Sequence, residues 1–313
     1  MSNKWLSMTV ILTFGTGILA GCGTTTSTAA RPPALIRITD DLHHTITLTK
    51  PATRIVTLEP SNAEIALDLG LKPEIVGTDQ TTFQYTPAPW KQQLHGIPNI
   101  GPSYPGISVE KIVAAKPNLV IATTGIKGLS SLARFHIPVL VLQPTSVQGI
   151  YHDVMLVGRA TGKTAQARAT VIHMKHQLAT IQQVVRRVKT RPTVFYDLGG
   201  LYTAGPHTFL NALIDMAGAF NVGARLSTQQ YPQVTAEQVV KANPEDILID
   251  PESGTTVSKE EHLAGFSAIT AVKTGHVDVI PDSSYVNEPS PALVMGLKEL
   301  VKMLHPQLKL PTK

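Results

Sequence analysis

The feature that most constrains this chain is one long run without a helix breaker. The sequence holds 23 glycines and 23 prolines among 313 residues, yet none falls within residues 164–189. Inside that run Val171, Met174, Leu178, Ile181, Val185 and Val188 recur at spacings of three and four, which is one apolar face of an α-helix. At about 1.5 Å per residue the run predicts a rod of roughly 39 Å, as long as a domain is wide. Arg186, Arg187 and Lys189 favour its C-terminal end through the helix dipole. Pro192 then stops it.

On both sides of the rod, apolar strand-like bursts alternate with short helical segments. Before it, residues 54–58 read as a strand, and a turn at Pro60 leads to a helix capped by Ser61 or Asn62 that ends near Gly70. Residues 74–79, 118–123 and 135–143 read as further strands, with a short helix over 108–117. After the rod come strands over 193–198, 246–250 and 275–281, and helices over 207–218, 235–244 and 290–305. This alternation predicts an α/β fold with parallel sheets: lobe, single long backbone helix, lobe. The expected organisation is a leader over 1–21, a tether and lead-in over 22–50, an N-terminal lobe over 51–162, the linking helix over 163–190 and a C-terminal lobe over 191–313.

The leader has the layout of a secretory signal. Lys4 supplies the positive end and residues 5–19 an apolar stretch too short for a membrane span, which needs about 20 apolar residues. LAGC (19–22) follows, with small residues before Cys22, the single cysteine of the chain. This resembles a bacterial lipoprotein signal, with cleavage before Cys22 and lipid on its thiol. GTTTSTAARPP (23–33) is small, polar and then proline-rich, as a flexible tether would be. The expected location is the outer face of the cell membrane, held by a lipid anchor. A lone cysteine excludes a disulfide framework, a CxxC metal site and a cysteine nucleophile.

One phrase occurs twice. SVEKIVAAKPNLVIA begins at Ser108 and TAEQVVKANPEDILI at Thr235, each with a glutamate two residues after a capping Ser or Thr. The two phrases mark the same helix-to-strand unit in two similar lobes, a weak internal duplication. Glu110 and Glu237 have a local explanation, because a carboxylate near a helix N-terminus is favoured by about 0.3–1 kcal/mol. A functional pair of carboxylates is the other reading, and the spacing alone leaves both open.

The order of motifs resembles a known family. RIVTLEPSNAEIALDLGL, SVEKIVAAKPNLVIAT, LYTAGPHTFLNALIDMAGAFNVG, YPQVTAEQVVKANPEDILI and SPALVMGLKELVKMLHP, over residues 54–306, follow one another as in class III solute-binding proteins. These are the iron-siderophore, haem and cobalamin receptors of ABC importers. The resemblance implies two Rossmann-like lobes, a ligand cleft between them, and no chemistry or cofactor of the protein's own. It implies partners as well: an ABC permease and ATPase complex, met through Glu110 and Glu237, and a small metal chelate of corrinoid, siderophore or haem type. It further implies ligand contacts from Tyr104, Thr123, Tyr202, Tyr231 and Tyr285, since aromatic walls suit a flat, largely uncharged macrocycle. Two departures stand out. The segment before the last helix, NEPSPALVMG, carries Glu288 where many siderophore receptors carry an arginine, which disfavours strongly anionic chelates. Thr123 and tyrosines stand where cobalamin binders have tryptophans.

Other readings weaken on the residues. A net charge of +5 without a basic run does not fit a nucleic-acid arm. A secreted hydrolase needs a GxSxG elbow, and GLSSL (128–132) lacks the second glycine. A zinc- or manganese-binding lipoprotein would need three or four clustered His, Asp or Glu ligands. His173 and His176 on the long helix have no third ligand nearby and read as solvated, so no metal site is expected. His207, in TAGPHTF, reads as a loop residue that could reach a ligand's metal. If Cys22 only anchors, Cys22→Ser yields an unlipidated protein that leaves the membrane fraction and binds ligand as before. Membrane fractionation and a binding titration check both halves of that expectation.

Overall fold

The structure is a computed structural model and describes residues 35–311. Cys22, the leader and the proposed tether lie outside the described residues. Within them the chain forms two four-stranded sheets and one hairpin. The first sheet holds β3 (Ile55–Thr57), β4 (Ile75–Thr78), β5 (Leu119–Ala122) and β6 (Val139–Val141), all parallel, in the order β4-β3-β5-β6. The second holds β7 (Thr193–Asp197), β8 (Phe220–Asn221), β9 (Asp246–Ile249) and β10 (Val277–Val279), also all parallel, in the order β10-β9-β7-β8.

The two orders are the same topology. In each lobe the first strand lies inside the sheet, the second strand flanks it on one side, and the third and fourth continue on the other. The doubled phrase falls at the same place in both. Helix Val109–Ala114 delivers β5 and helix Ala236–Ala242 delivers β9, the third strand of each lobe. Strands covered on both faces must be apolar throughout. Accordingly β3 and β5 are buried at every position, and β7 and β9 at all but their first.

The backbone helix is Thr164–Val185, 22 residues, and so about 33 Å long. It is shorter than the uninterrupted run predicts. After Val185 the chain tightens into turns, with Arg187 N–H donating to the Val184 carbonyl at 3.0 Å and Val188 N–H to the Val185 carbonyl at 2.9 Å. Pro192 forces the approach to β7 to be extended, so the last polar residues cannot continue the helix. Ala167, Val171, Met174, Leu178 and Ile181 form its buried face. That face packs on helix Val147–Thr161 of the first lobe and helix Leu293–Leu304 of the second. One core cluster accordingly runs through both lobes, from Ile55 and Leu119 to Tyr196 and Leu297. Gly158 permits the close approach of the two helices, because a Cβ there would sit 2.4 Å from the Ala167 Cβ.

Residues ahead of the first sheet are also folded. β1 (Ile36–Thr39) and β2 (Thr45–Leu48) pair as an antiparallel hairpin that buries Ile38 and Leu48. Its turn and first strand are fastened to the lobe: the Gln143 N–H donates to Asp41 Oδ2 at 2.7 Å, and the Arg159 guanidinium to the Arg37 carbonyl at 2.8 Å. Asp153 lies behind this turn, fully buried, with neither carboxylate oxygen partnered. Burial and the neighbouring Asp41 carboxylate push its pKa up from 3.8 to about 9. Its protonated form is therefore the native one at neutral pH. Stability from such a group is fully present below the unfolded pKa and falls as pH rises towards the folded one. Asp153→Asn mimics the neutral acid and removes that cost. We expect the variant to gain stability on the order of a few kcal/mol at pH 7, with the gain vanishing near pH 4 and levelling off above pH 9. Thermal melts at the three pH values test this, and a gain independent of pH would contradict it.

Candidate functional site

In an open parallel sheet the strands all end on one edge, and ligands bind beyond that edge where adjacent connections diverge. Each lobe has such a point, between β3 and β5 and between β7 and β9. The segments that leave these ends meet between the lobes and enclose two cavities. One, of about 180 Å³, is bounded by Ser61, Asn62 and Thr123 from the first lobe and by His207, Thr208 and Tyr231 from the second. The other, of about 400 Å³, lies between Tyr85 and Lys91 on one side and Glu252, Asp282 and Glu288 on the other. Asn287 borders both. No arginine lines either cavity.

The seam between the cavities joins helix Pro60–Asp68 to the segment leading into helix Leu293–Leu304. Glu64 and Ser290 are both fully buried, and the Ser290 hydroxyl donates to Glu64 Oε2 while accepting from the Ala292 N–H at 3.0 Å. Glu64 Oε1 has no partner. Burial raises the Glu64 pKa well above the ordinary carboxylate value, and Glu288, Asp68 and Asp282 add to it. Glu288 itself is pushed up to about 7, chiefly by burial and then by Glu59, against the opposing Ser61 N–H.

Glu59 begins this helix in an unusual conformation, φ 83 and ψ 145, with no side-chain cap and Pro60 at the first turn. The cap is therefore Glu59 rather than Ser61 or Asn62, which lie within the helix. Proline is well suited to the first helical position because it lacks an N–H that would be unpaired there. The strained residue is held by its own N–H, which donates to Asp79 Oδ1 at 2.9 Å. Ser103 Oγ lies 2.7 Å from Glu59 Oε1 and 2.8 Å from Asp79 Oδ2. One hydroxyl carries one proton, so Ser103 donates to one of these two carboxylates at a time. Burial raises the Glu59 pKa, the Ser103 hydroxyl opposes the shift, and the Asp79 carboxylate adds to it.

The residues expected to contact ligand fall into three settings. Thr123 and Tyr231 line the smaller cavity, as does His207. Tyr104, Tyr202 and Tyr231 are exposed at 67%, 47% and 57%, Tyr202 just after β7 and the other two on segments that lead into helices Val109–Ala114 and Ala236–Ala242. Tyr104 and Tyr202 border neither cavity. Tyr285 is half-buried and packs on the main core, away from both. Gly205 allows the Tyr202 and Tyr231 loops to meet: its N–H donates to the Gln230 carbonyl at 2.7 Å, and a Cβ would lie 1.8 Å from the Gln229 carbonyl oxygen. Tyr85, Glu59, Glu64 and Asp153 are site or seam residues that sequence reasoning missed. Tyr85 was detectable as an aromatic just beyond the 74–79 strand.

Glu110 and Glu237 are exposed in the first turns of their helices. Ser108 Oγ accepts from the Lys111 N–H at 3.4 Å. Thr235 Oγ1 accepts from the Gln238 N–H at 3.2 Å, and the Gln238 side chain returns a bond to the Thr235 N–H at 2.8 Å. The local helix-start role of both phrases is thus present. His173 and His176 are both exposed on the backbone helix. The seam makes one prediction: Ser290→Ala, which leaves Glu64 with neither oxygen partnered, costs about 1–3 kcal/mol of stability. Urea denaturation measures it, and an unchanged midpoint would show that the bond contributes nothing.

Comparison with known proteins agrees with this geometry. A family model described as periplasmic binding protein matches residues 55–283. The cobalamin-binding protein of Halobacterium salinarum is 31% identical, over 83% of this chain and 71% of its own length. The ABC transporter substrate-binding lipoprotein YvrC of Bacillus subtilis is 30% identical, over 92% of this chain and 93% of its own length. A solved structure of a possible iron-binding, periplasmic solute-binding protein from Staphylococcus epidermidis superposes with a TM-score of 0.70 at 26% identity, over 82% of this chain and all of that one. The chain belongs to the periplasmic binding protein family.

Proposed function

We propose that this protein is an extracytoplasmic, lipid-anchored substrate-binding protein that captures a metal chelate between its lobes and delivers it to an ABC importer. The observation that carries the reading is the cleft itself. Two sheets of identical topology flank cavities lined from both lobes, the exposed Tyr231 lines one and Tyr85 the other, and no arginine lines either. Such a site suits a planar, weakly charged ligand, held by aromatic contact and a few polar groups. The relatives named for cobalamin favour a corrinoid over a siderophore or haem. Among the described residues no group of three or more His, Cys, Asp or Glu is placed to hold a metal ion.

In this reading Tyr104, Tyr202 and Tyr231 contact the macrocycle with Thr123, and Tyr285 supports them from the core. Cys22 carries the lipid. No described helix is long and apolar enough to cross a membrane. Glu110 and Glu237 dock one lobe each onto basic residues of the permease. The protein performs no catalysis of its own.

The direct test is a titration of the purified protein with cyanocobalamin, haemin and a ferric hydroxamate, followed by absorption and calorimetry. Saturable binding of one of them is expected, and binding of none would remove the reading. Tyr104→Ala and Tyr231→Ala should each weaken binding by about 1–3 kcal/mol, the worth of a lost aromatic wall. Wild-type affinity in both would take these residues out of the site. A Glu110→Gln, Glu237→Gln double variant should bind ligand normally and lose uptake, with reversal to Lys worse than neutralisation. Normal uptake in the double variant would return both glutamates to their helix-start role alone.

A further inference from the structure

The smaller cavity ends on a group whose hydrogen-bonding capacity the fold leaves unused. Asp153 lines it from helix Val147–Thr161, with its side chain fully buried and both oxygens without a partner. Asp41 is the neighbouring carboxylate, already accepting from the Gln143 N–H. A neutral Asp153 has one proton to give, and Asp41 is positioned to take it. That leaves the carbonyl oxygen of Asp153 as a buried acceptor with no donor. The other walls include the uncharged Ser61, Asn62, Thr123, Thr208 and Tyr231 together with His207, and neither Lys nor Arg is among them. At about 180 Å³ the chamber is far larger than the roughly 10–15 Å³ that admits a single water.

A buried acceptor without a donor costs free energy that a ligand N–H would recover. A ligand carboxylate would find no Lys or Arg there and at Asp153 would meet acceptor to acceptor. We propose that this chamber is a specificity subsite that takes an uncharged N–H-bearing arm of the ligand, of the primary carboxamide class, and that Asp153 is the acceptor that reads it. The assignment rests on the cleft-binding reading above and adds a basis for choosing among chelates. It selects those fringed with amides over those fringed with carboxylates.

The test is calorimetry on the full chain in detergent, with cyanocobalamin as the amide-fringed probe and haemin as the carboxylate-fringed one. Wild type should bind cyanocobalamin at least about tenfold more tightly than haemin, a difference of one or two hydrogen bonds. Asp153→Ala should lose about tenfold for cyanocobalamin and leave haemin unchanged. Asp153→Asn keeps the carbonyl acceptor and an N–H for Asp41, and should restore cyanocobalamin binding to within about threefold of wild type, well inside one hydrogen bond. Equal affinity of Asp153→Ala and wild type for cyanocobalamin, or a wild-type preference for haemin, overturns the subsite while the chelate-binding reading stands. Binding of neither probe by wild type overturns the subsite as well, and the ferric hydroxamate titration then decides the fate of the reading. The wild-type preference keeps the proposal falsifiable where Asp153→Ala does not fold.

Discussion

The burial of one helix face into two lobes at once governs the rest of the molecule. Val171, Met174, Leu178 and Ile181 contribute to a core that also holds strand residues of both sheets. Neither lobe can rotate far without exposing part of that stripe to water, at roughly 25 cal/mol for each Å² of apolar surface. The distance between the two sets of strand ends is thereby set by packing, and a cleft between them exists before any ligand arrives. Hydrogen bonds such as that of Glu64 with Ser290 then fasten its floor.

That floor is unusually acidic for a binding site. Glu59, Glu64, Glu288 and Asp153 all have pKa values raised mainly by burial. Keeping such groups neutral is the cheaper alternative to burying them as ions. A neutral carboxyl group both donates and accepts, so Asp153, with its pKa at about 9, can offer hydrogen bonds without adding charge. The site can therefore be polar and yet tolerate a ligand whose charge is small.

Much of this was legible in the sequence, and the parts that were not share a cause. The long helix, the parallel strands and the caps at Ser108 and Thr235 depend on residues close together in the chain, and spacing reveals them. The hairpin at residues 36–48 was readable in principle, since Ile36 and Ile38 alternate as Ile46 and Leu48 do, but four-residue strands give a weak signal. β8 has two residues and no periodicity at all. The cap at Glu59 escaped notice because a non-glycine residue at positive φ is held by Asp79 from another strand's end. Tyr285 looked like a cleft residue by position in a motif, yet it faces the core. Asp153 reads as an ordinary polar helix residue until the fold closes Asp41 over it.

The repeated topology has a consequence for how the molecule can be met from outside. Each lobe starts its third strand from the same capped helix, with an exposed glutamate in the first turn. One body thus carries two copies of one surface element, one in each lobe. A partner built from two identical halves would find the same contact twice and could seat the body in either of two orientations. Only what differs between the copies, such as the reciprocal cap at Thr235 and Gln238 that Ser108 and Lys111 do not form, tells one orientation from the other.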